Sequence, residues 1–395
     1  MKNVLFITWD GPQTSYMEGL FMPILSEVQK KADYKIHVIQ FTWGTKERIA
    51  ITQRKAQDLN ITYTARPITR KPVATLGSLL TLYTGIKFLK KYIRSHKIDI
   101  VMPRSTMPSI MINRLKKTNF QVLFDADGLP LEERIDFSGL SRKSKQYRWL
   151  KNEETRLLKN SNGVLTRSEK SVEVHLNTIG KEFRSKFDVV FNGRDAAAFK
   201  PSEEDRKSVR ALLGFSKEDI VFVYCGSLGP QYGWEEMMAI FKLYSESNNQ
   251  SKLILLTGNT EFALQRLPES LRDKIIIQKV PIDEVPKFLN AADVAFAIRK
   301  PTFSMQGVAP IKLGEYLLMG LPVIASKGIG DTEQILERLN GCLLFDHQDT
   351  ERISKAKDFV ISLNRNNSNG LREVGQTFFS LDRSAESYLN AFNKL

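Results

Sequence analysis

Lys312 and Glu315 lie three residues apart in the run APIKLGEYLLMGLPVIAS at 309–326, a spacing that puts both side chains on one face of a helix. Pro310 fits a first helical position, where its missing N–H costs nothing, and Gly320 with Pro322 supplies the stop. The sequence thus predicts a helix of about three turns. A lysine in the first turn faces the positive end of the helix dipole, which disfavours it unless an anion sits alongside. The unsatisfied N–H groups of the same turn point to the same place, so a phosphate is the natural partner. Glu315, an acceptor-only group one turn on, suits a ribose diol. Arg299, about a dozen residues upstream after an apolar run, is placed to add a second cation, each charge-assisted hydrogen bond contributing roughly 1.5–3 kcal/mol. Cations, amides and carboxylate together read as a nucleoside-diphosphate site.

Such a site needs a sheet behind it. Short β-branched runs alternate with segments of helical period along the whole chain, the pattern of α/β units with parallel sheets. Strands are predicted at 4–8, 35–41, 98–102, 121–124, 163–165 and 188–191, and again at 220–225, 252–256, 274–277, 294–298, 322–325 and 342–345. The expected fold class is α/β with two Rossmann-like domains facing a central cleft. The turn-rich stretch 191–201 marks the junction, giving an N-terminal domain at 1–195, a second at 196–375 and a terminal helix at 376–395. Ligands of open parallel sheets bind beyond the carboxyl ends of the strands. The residues to inspect there are Asp10, Gly11, Arg104, Asp125, Asp127, Arg167 and Asn192 in the first half. In the second they are Gly226, Ser227, Gly229, Asn259 and Arg299. Gly226 and Gly229 leave room for a ligand to approach the backbone, although a Gly-x-x-Gly pair alone has many chance matches.

Composition narrows the class. The 395 residues are 42% hydrophobic and 26% charged, as in globular proteins. Cys225 and Cys342 have no CxxC partner, which supports neither a disulfide framework nor a zinc site and fits a reducing cytoplasm. The first apolar run, 4–9, ends at Asp10 and is too short for a signal peptide or a membrane span. The net charge of +14 is uneven: the first 195 residues hold 34 Lys and Arg against 19 Asp and Glu. That half suits a polyanion, and the absence of a nucleic-acid-binding motif turns the expectation from nucleic acid to an anionic membrane surface. The segment 78–94 carries Lys87, Lys90, Lys91 and Arg94 beside an apolar stripe, which suits a membrane surface and equally suits a helix packed on a sheet with its lysines outward.

These features resemble the retaining GT-B glycosyltransferases, glycosyltransferase family 4 in particular, of the kind that builds bacterial surface polysaccharide. The run from Pro310 to Ile324 is similar to that family's "P-x-K-x-x-E-Y-x-x-x-G-x-P-V-I", with Lys312 at the phosphate-binding lysine and Glu315 at the ribose-binding glutamate. Asn192-Gly193-Arg194-Asp195 with Phe199 and Pro201 resembles its inter-domain turn, and 379–395 its returning helix. The resemblance implies a metal-independent hexosyltransferase without cofactor. A nucleotide-diphosphate sugar is then the co-substrate, and a glycan or lipid-linked molecule the acceptor. The enzyme is expected in the cytoplasm, docked peripherally at the inner face of the membrane. Two departures matter. Gly307 stands where the family often has an acidic residue, so sugar contacts are expected from the backbone of Gln306 to Ala309, with Gly307, Val308 and Ala309 as donor-binding candidates. The loop after 220–225 also lacks the family's basic pair, which leaves Arg299 as the second cation.

Rival readings are weaker. Asp125-x-Asp127-Gly128 resembles a haloacid-dehalogenase phosphatase nucleophile loop, but Leu129 follows the glycine and the distal aspartate pair is missing. A sugar-nucleotide epimerase shares the architecture and needs a carboxylate and histidine set that the four histidines do not supply. A nucleotide-sugar-binding protein without turnover is the third alternative, motivated by Gly307. For a transferase, Arg299 and Lys312 would stabilise charge on the leaving diphosphate, and that phosphate would deprotonate the acceptor. Asp10, Gly11, Arg104, Asp125 and Asp127 are the acceptor-side candidates.

Overall fold

Runs of Val, Ile, Leu and Phe buried on both faces build two parallel sheets in the computed structural model, which describes residues 1–11, 16–71, 73–116, 119–337, 339–363 and 368–395. The first sheet contains β1 (Lys2–Asp10), β2 (Tyr34–Thr42), β3 (Thr62–Pro67), β4 (Ile100–Pro103), β5 (Gln121–Asp127), β6 (Gly163–Thr166) and β7 (Phe187–Val189). Their order is β3-β2-β1-β4-β5-β6-β7. The second contains β8 (Ile220–Cys225), β9 (Ser251–Leu256), β10 (Ile275–Gln278), β11 (Val294–Ala297), β12 (Val323–Ser326) and β13 (Cys342–Phe345). These follow the order β10-β9-β8-β11-β12-β13. Each sheet reverses its winding at one place, between β1 and β4 or between β8 and β11, and such a switch point opens a crevice at the carboxyl ends.

The chain forms two compact units, Met1–Phe191 with Ser384–Leu395, and Asn192–Arg383. In the second, β8 alternates Val221, Val223 and Cys225 into one core with Phe222 and Tyr224 into the other, so helices cover both faces. The last residues of the chain return to the first unit, where Tyr388 and Phe392 are buried and Ser384 Oγ donates to Phe191 O at 2.8 Å.

Two expectations need correction. The strand β3 is not expected from the sequence: its TYTARP segment carries little apolar alternation because it is the edge strand, paired among the described residues with β2 alone and half-exposed. The helix at the key motif is Ile311–Leu318, eight residues instead of three turns. Pro310 is its N-cap with ψ of 110°, outside the helical region, and Gly320 does close it, with φ of +67°.

Candidate active site

The helix Ile311–Leu318 begins beside the end of β8, and the contact between them explains where Lys312 goes. Tyr316 Oη accepts from the Cys225 backbone N–H at 2.8 Å, pinning the end of the strand to the helix. Gly226 follows with φ of +134°, and a Cβ there would lie 3.1 Å from Lys312 Nζ, so a glycine is required for the ammonium to occupy this place. Gly314 serves the other side of the helix, where a Cβ would sit 2.6 Å from the Phe379 side chain. No side chain caps the helix N-terminus.

Lys312 is 7% exposed. Its Nζ donates to Tyr224 Oη at 2.7 Å and lies 4.1 Å from the Tyr224 ring centroid and 4.3 Å from that of Tyr232. The Arg299 guanidinium lies 4.7 Å from the same Tyr232 ring, and its Nη1 approaches the Met305 sulfur at 3.8 Å. Two cations therefore share one aromatic ring, and among the described residues neither has a carboxylate partner within ion-pair distance. Burial, and then the charge of Arg299, hold the Lys312 pKa well below the usual lysine value. The Arg299 Nε is buried with no hydrogen-bond partner among the described residues. A buried ammonium beside a half-buried guanidinium calls for an anion.

Glu315 is also buried, and its Oε1 accepts from Arg194 Nε at 2.7 Å. Arg194 is held in turn by backbone bonds to Phe379 and Leu381. A ribose diol at Glu315 would share the carboxylate with this arginine. The loop after β8 is shaped by its neighbours: Asn259 Oδ1 accepts from the Leu228 N–H at 3.0 Å, and the Tyr224 hydroxyl donates to Ser227 O. Asn259 thus holds the loop, Ser227 is exposed, and Gly229 stands in open space. Gly307 ends the short 3-10 turn Phe303–Gly307, Val308 N donates to Met305 O at 3.2 Å, and Ala309 O accepts from Asn192 Nδ2 at 3.2 Å.

The first-unit candidates fall into two groups. Arg104, Asp125, Asp127 and Arg167 form an ion network, centred on buried Asp125 and Arg167, at the ends of β4, β5 and β6. Asp125 Oδ2 accepts from Arg104 Nη1 and Arg167 Nη2, both at 2.9 Å, while its Oδ1 accepts from the Asp127 N–H at 3.0 Å. Burial alone would raise the Asp125 pKa, but Arg167 and Arg104 overcome it and hold the carboxyl below its usual range. Asp125 is fully buried with both oxygens engaged, so it organises the two arginines instead of reaching a ligand. Asp127 pairs with Arg104 at 2.7 Å yet is 35% exposed, and its φ of +67° is a strained backbone for aspartate. The second group lies at the end of β1. Asp10 Oδ2 accepts from Gln40 Nε2 at 3.2 Å, and Gln40 Oε1 accepts from Tyr63 Oη at 2.6 Å. Gly11 packs on Trp43, where a Cβ would come within 2.8 Å of the ring.

Sequence reasoning missed Tyr224, Tyr232 and the role of Arg194. The first two had a signal, an aromatic at the penultimate position of a strand and another in the loop beyond it, but aromatics are ordinary core residues and nothing local sets these apart. Among the described residues no three or more His, Cys, Asp or Glu are grouped to hold a metal ion, and no helix is long and apolar enough to cross a membrane.

Comparison with known proteins bears on the fold and on the segment that carries this site. Residues 219–361, which carry the loop after β8, Arg299 and the helix of Lys312, match the family model of the glycosyl transferases group 1. No protein of curated function matches the chain by sequence. Among solved structures, HepE of Anabaena, determined with UDP, superposes with a TM-score of 0.74 at 15% identity, with all of both chains covered. Sucrose-phosphate synthase from Thermosynechococcus elongatus gives 0.72 at 14%, covering 100% of this chain and 99% of that one. WaaG, a glycosyltransferase involved in lipopolysaccharide biosynthesis, gives 0.69 at 14% with 98% of each covered. The fold is GT-B, and the resemblance to group 1 glycosyltransferases holds over the matched segment.

Proposed function

We propose that this GT-B chain transfers a sugar from a nucleoside-diphosphate sugar to an acceptor hydroxyl, with retention at the anomeric carbon. The observation that carries the reading is a pair of cations without carboxylate partners among the described residues, buried Lys312 and half-buried Arg299, over one tyrosine ring. Cleaving the anomeric bond places charge on the departing diphosphate, and fixed cations in a dry site stabilise that charge with little reorganisation. Burial disfavours the charged form of the Lys312 amine, and an arriving diphosphate favours it. Glu315, steadied by Arg194, takes the ribose hydroxyls. The Gly307, Val308 and Ala309 backbone lies next to the helix start and offers contacts to the sugar. The leaving phosphate removes the acceptor proton, so no protein base and no metal are needed.

Asp10 and Gly11 at the end of β1, and Asp127 with Arg104 at the ends of β5 and β4, are the groups we assign to the acceptor. The uneven charge supports a lipid-linked acceptor in surface-polysaccharide synthesis, with the enzyme peripheral on the inner face of the membrane. The helix Ala74–Ser95 exposes Lys87, Lys90, Lys91 and Arg94 in its second half, and Leu76, Leu79, Leu80 and Tyr83 at helical spacing in its first. That combination suits an interfacial helix. HepE has also been solved with UDP-glucose, which makes UDP the first nucleotide to try. A melting screen with UDP, GDP and ADP tests the reading: a site ligand at 100 times its Kd adds about 2.7 kcal/mol. A shift with one of them, lost in Lys312→Ala, is expected. No shift with any would count against it.

A further inference from the structure

Three residues that the proposed chemistry does not use converge behind Arg299. Ser326 ends β12, His347 follows β13, and Glu236 lies in the first turn of the helix Trp234–Ser247 that succeeds the loop after β8. The Arg299 backbone N–H donates to Ser326 Oγ at 3.0 Å, and Ser326 Oγ lies 2.9 Å from His347 Nε2. His347 Nδ1 in turn faces Glu236 Oε1 at 3.6 Å. With the imidazole proton on Nδ1, toward the carboxylate, Nε2 accepts the Ser326 hydroxyl proton while Ser326 Oγ accepts from the Arg299 amide.

The arrangement has the residue types of a nucleophilic triad but not the access. Ser326 is fully buried and holds a backbone amide, so no substrate carbonyl or phosphoryl group reaches its oxygen. What the chain of bonds does reach is the backbone of Arg299. On its other flank that backbone bridges Tyr232, and Lys300 N donates to Gln231 O at 3.0 Å. Arg299 is thereby clamped between the Tyr232 loop and Ser326, and its guanidinium is set over the Tyr232 ring that Lys312 also faces.

We propose that Glu236, His347 and Ser326 form a positioning relay that fixes Arg299 relative to Lys312 and so sets the affinity of the two-cation site for a diphosphate. Glu236 holds the imidazole orientation, the imidazole holds the serine hydroxyl, and the hydroxyl holds the arginine amide. The inference rests on the reading of Arg299 and Lys312 as a diphosphate site and adds three residues to it.

The test is a double-mutant cycle on the full chain, with inorganic pyrophosphate as the probe and its Kd measured by calorimetry. Pyrophosphate is chosen because it needs no knowledge of base or sugar. His347→Phe keeps a ring against Phe345, whose ring lies 5.0 Å away, and removes both nitrogens. It should weaken pyrophosphate about fivefold or more in the wild-type background and have no further effect in an Arg299→Ala background, because coupled residues are not additive. His347→Gln, which can still accept from Ser326 and donate to Glu236, should restore most of the affinity. Ser326→Ala cuts the relay at the arginine end and should repeat the His347→Phe result, which covers the case that the phenylalanine variant folds poorly. If Arg299→Ala weakens pyrophosphate but the relay variants weaken it equally in both backgrounds, the relay is wrong and the diphosphate site stands. If Arg299→Ala leaves the Kd unchanged, the diphosphate reading of Arg299 fails and the relay fails with it.

Discussion

Replacing Lys312 with methionine should disable the anion site without lowering the stability of the free protein. The substitution removes one hydrogen bond to Tyr224 and two cation–π contacts, each of the latter contributing roughly 0.5–2 kcal/mol. Against these stands the desolvation of a buried ammonium next to Arg299, which outweighs them, because the lysine pKa lies well below its usual value. Tyr224 keeps its bond to Ser227 O, so no buried donor is orphaned, and an unbranched methionine fills much the same space. The melting temperature should hold or rise. The pH dependence has a definite sign. Between the lowered pKa of the folded protein and about 10.4 in the unfolded chain, the unfolded state binds more protons, so wild-type stability gains from Lys312 as pH rises across that window. The methionine variant should lack that gain. Nucleotide binding shows the opposite slope: an anion favours the charged amine, so above the lowered pKa binding takes up protons and weakens as pH rises. Losing one charge-assisted contact of roughly 1.5–3 kcal/mol weakens the nucleoside diphosphate about 10- to 150-fold. Turnover should fall further, about 100- to 1,000-fold, since the leaving-group charge is greatest in the transition state. Melting curves from neutral to alkaline pH, with calorimetry in two buffers of different ionisation enthalpy, read all of this. A variant that melts far lower yet binds nucleotide as tightly as the wild type would refute the reasoning.

Further outcomes can be checked separately. Glu315→Gln should weaken nucleotide binding more than it slows turnover, and should also lower the melting temperature because Arg194 loses its charged partner; unchanged affinity in calorimetry would remove the ribose contact. Asp125→Asn should cost about 3–5 kcal/mol in urea unfolding by taking from Arg167 and Arg104 their shared buried charge and leaving both to Asp127, and a loss below about 1 kcal/mol would mean that the network is not structural. Since the Asp125 pKa is depressed, its contribution is present at neutral pH and lost as the pH falls through the folded value. Neutralising Lys87, Lys90, Lys91 and Arg94 together should reduce sedimentation with anionic vesicles at low salt, each residue contributing about 1 kcal/mol, and leave nucleotide binding intact. A wild type that ignores such vesicles would make a soluble acceptor the better reading.

Features with a local cause are legible in the sequence. The spacing of Lys312 and Glu315, the glycine at 226 and the stop at Gly320 each follow from rules that act within a few residues, and the alternation of apolar runs fixes a parallel α/β fold. Strand β3 escaped notice because an edge strand need not bury both faces. The helix came out shorter because Pro310 adopts an extended backbone and joins the loop before it. Asp125 and Asp10 were both chosen for following a strand, yet position along the chain does not say whether a carboxylate meets solvent or two arginines. Arg194, Tyr232 and the chain from Glu236 to Ser326 depend on residues brought together from separate elements, for which a single sequence carries no signal.

The central claim is that the second unit cleaves nucleoside-diphosphate sugars at the Lys312 and Arg299 site. The most direct measurement is release of nucleoside diphosphate from UDP-, GDP- and ADP-glucose by purified wild type and Lys312→Met, followed by NMR so that the anomer of the released sugar is read in the same tube. Slow hydrolysis of one donor by the wild type, with the donor's anomeric configuration retained and the rate reduced about 100-fold or more in the variant, is the predicted result. Tight nucleotide binding by the wild type with no cleavage of any donor, or cleavage that Lys312→Met leaves unchanged, would contradict it.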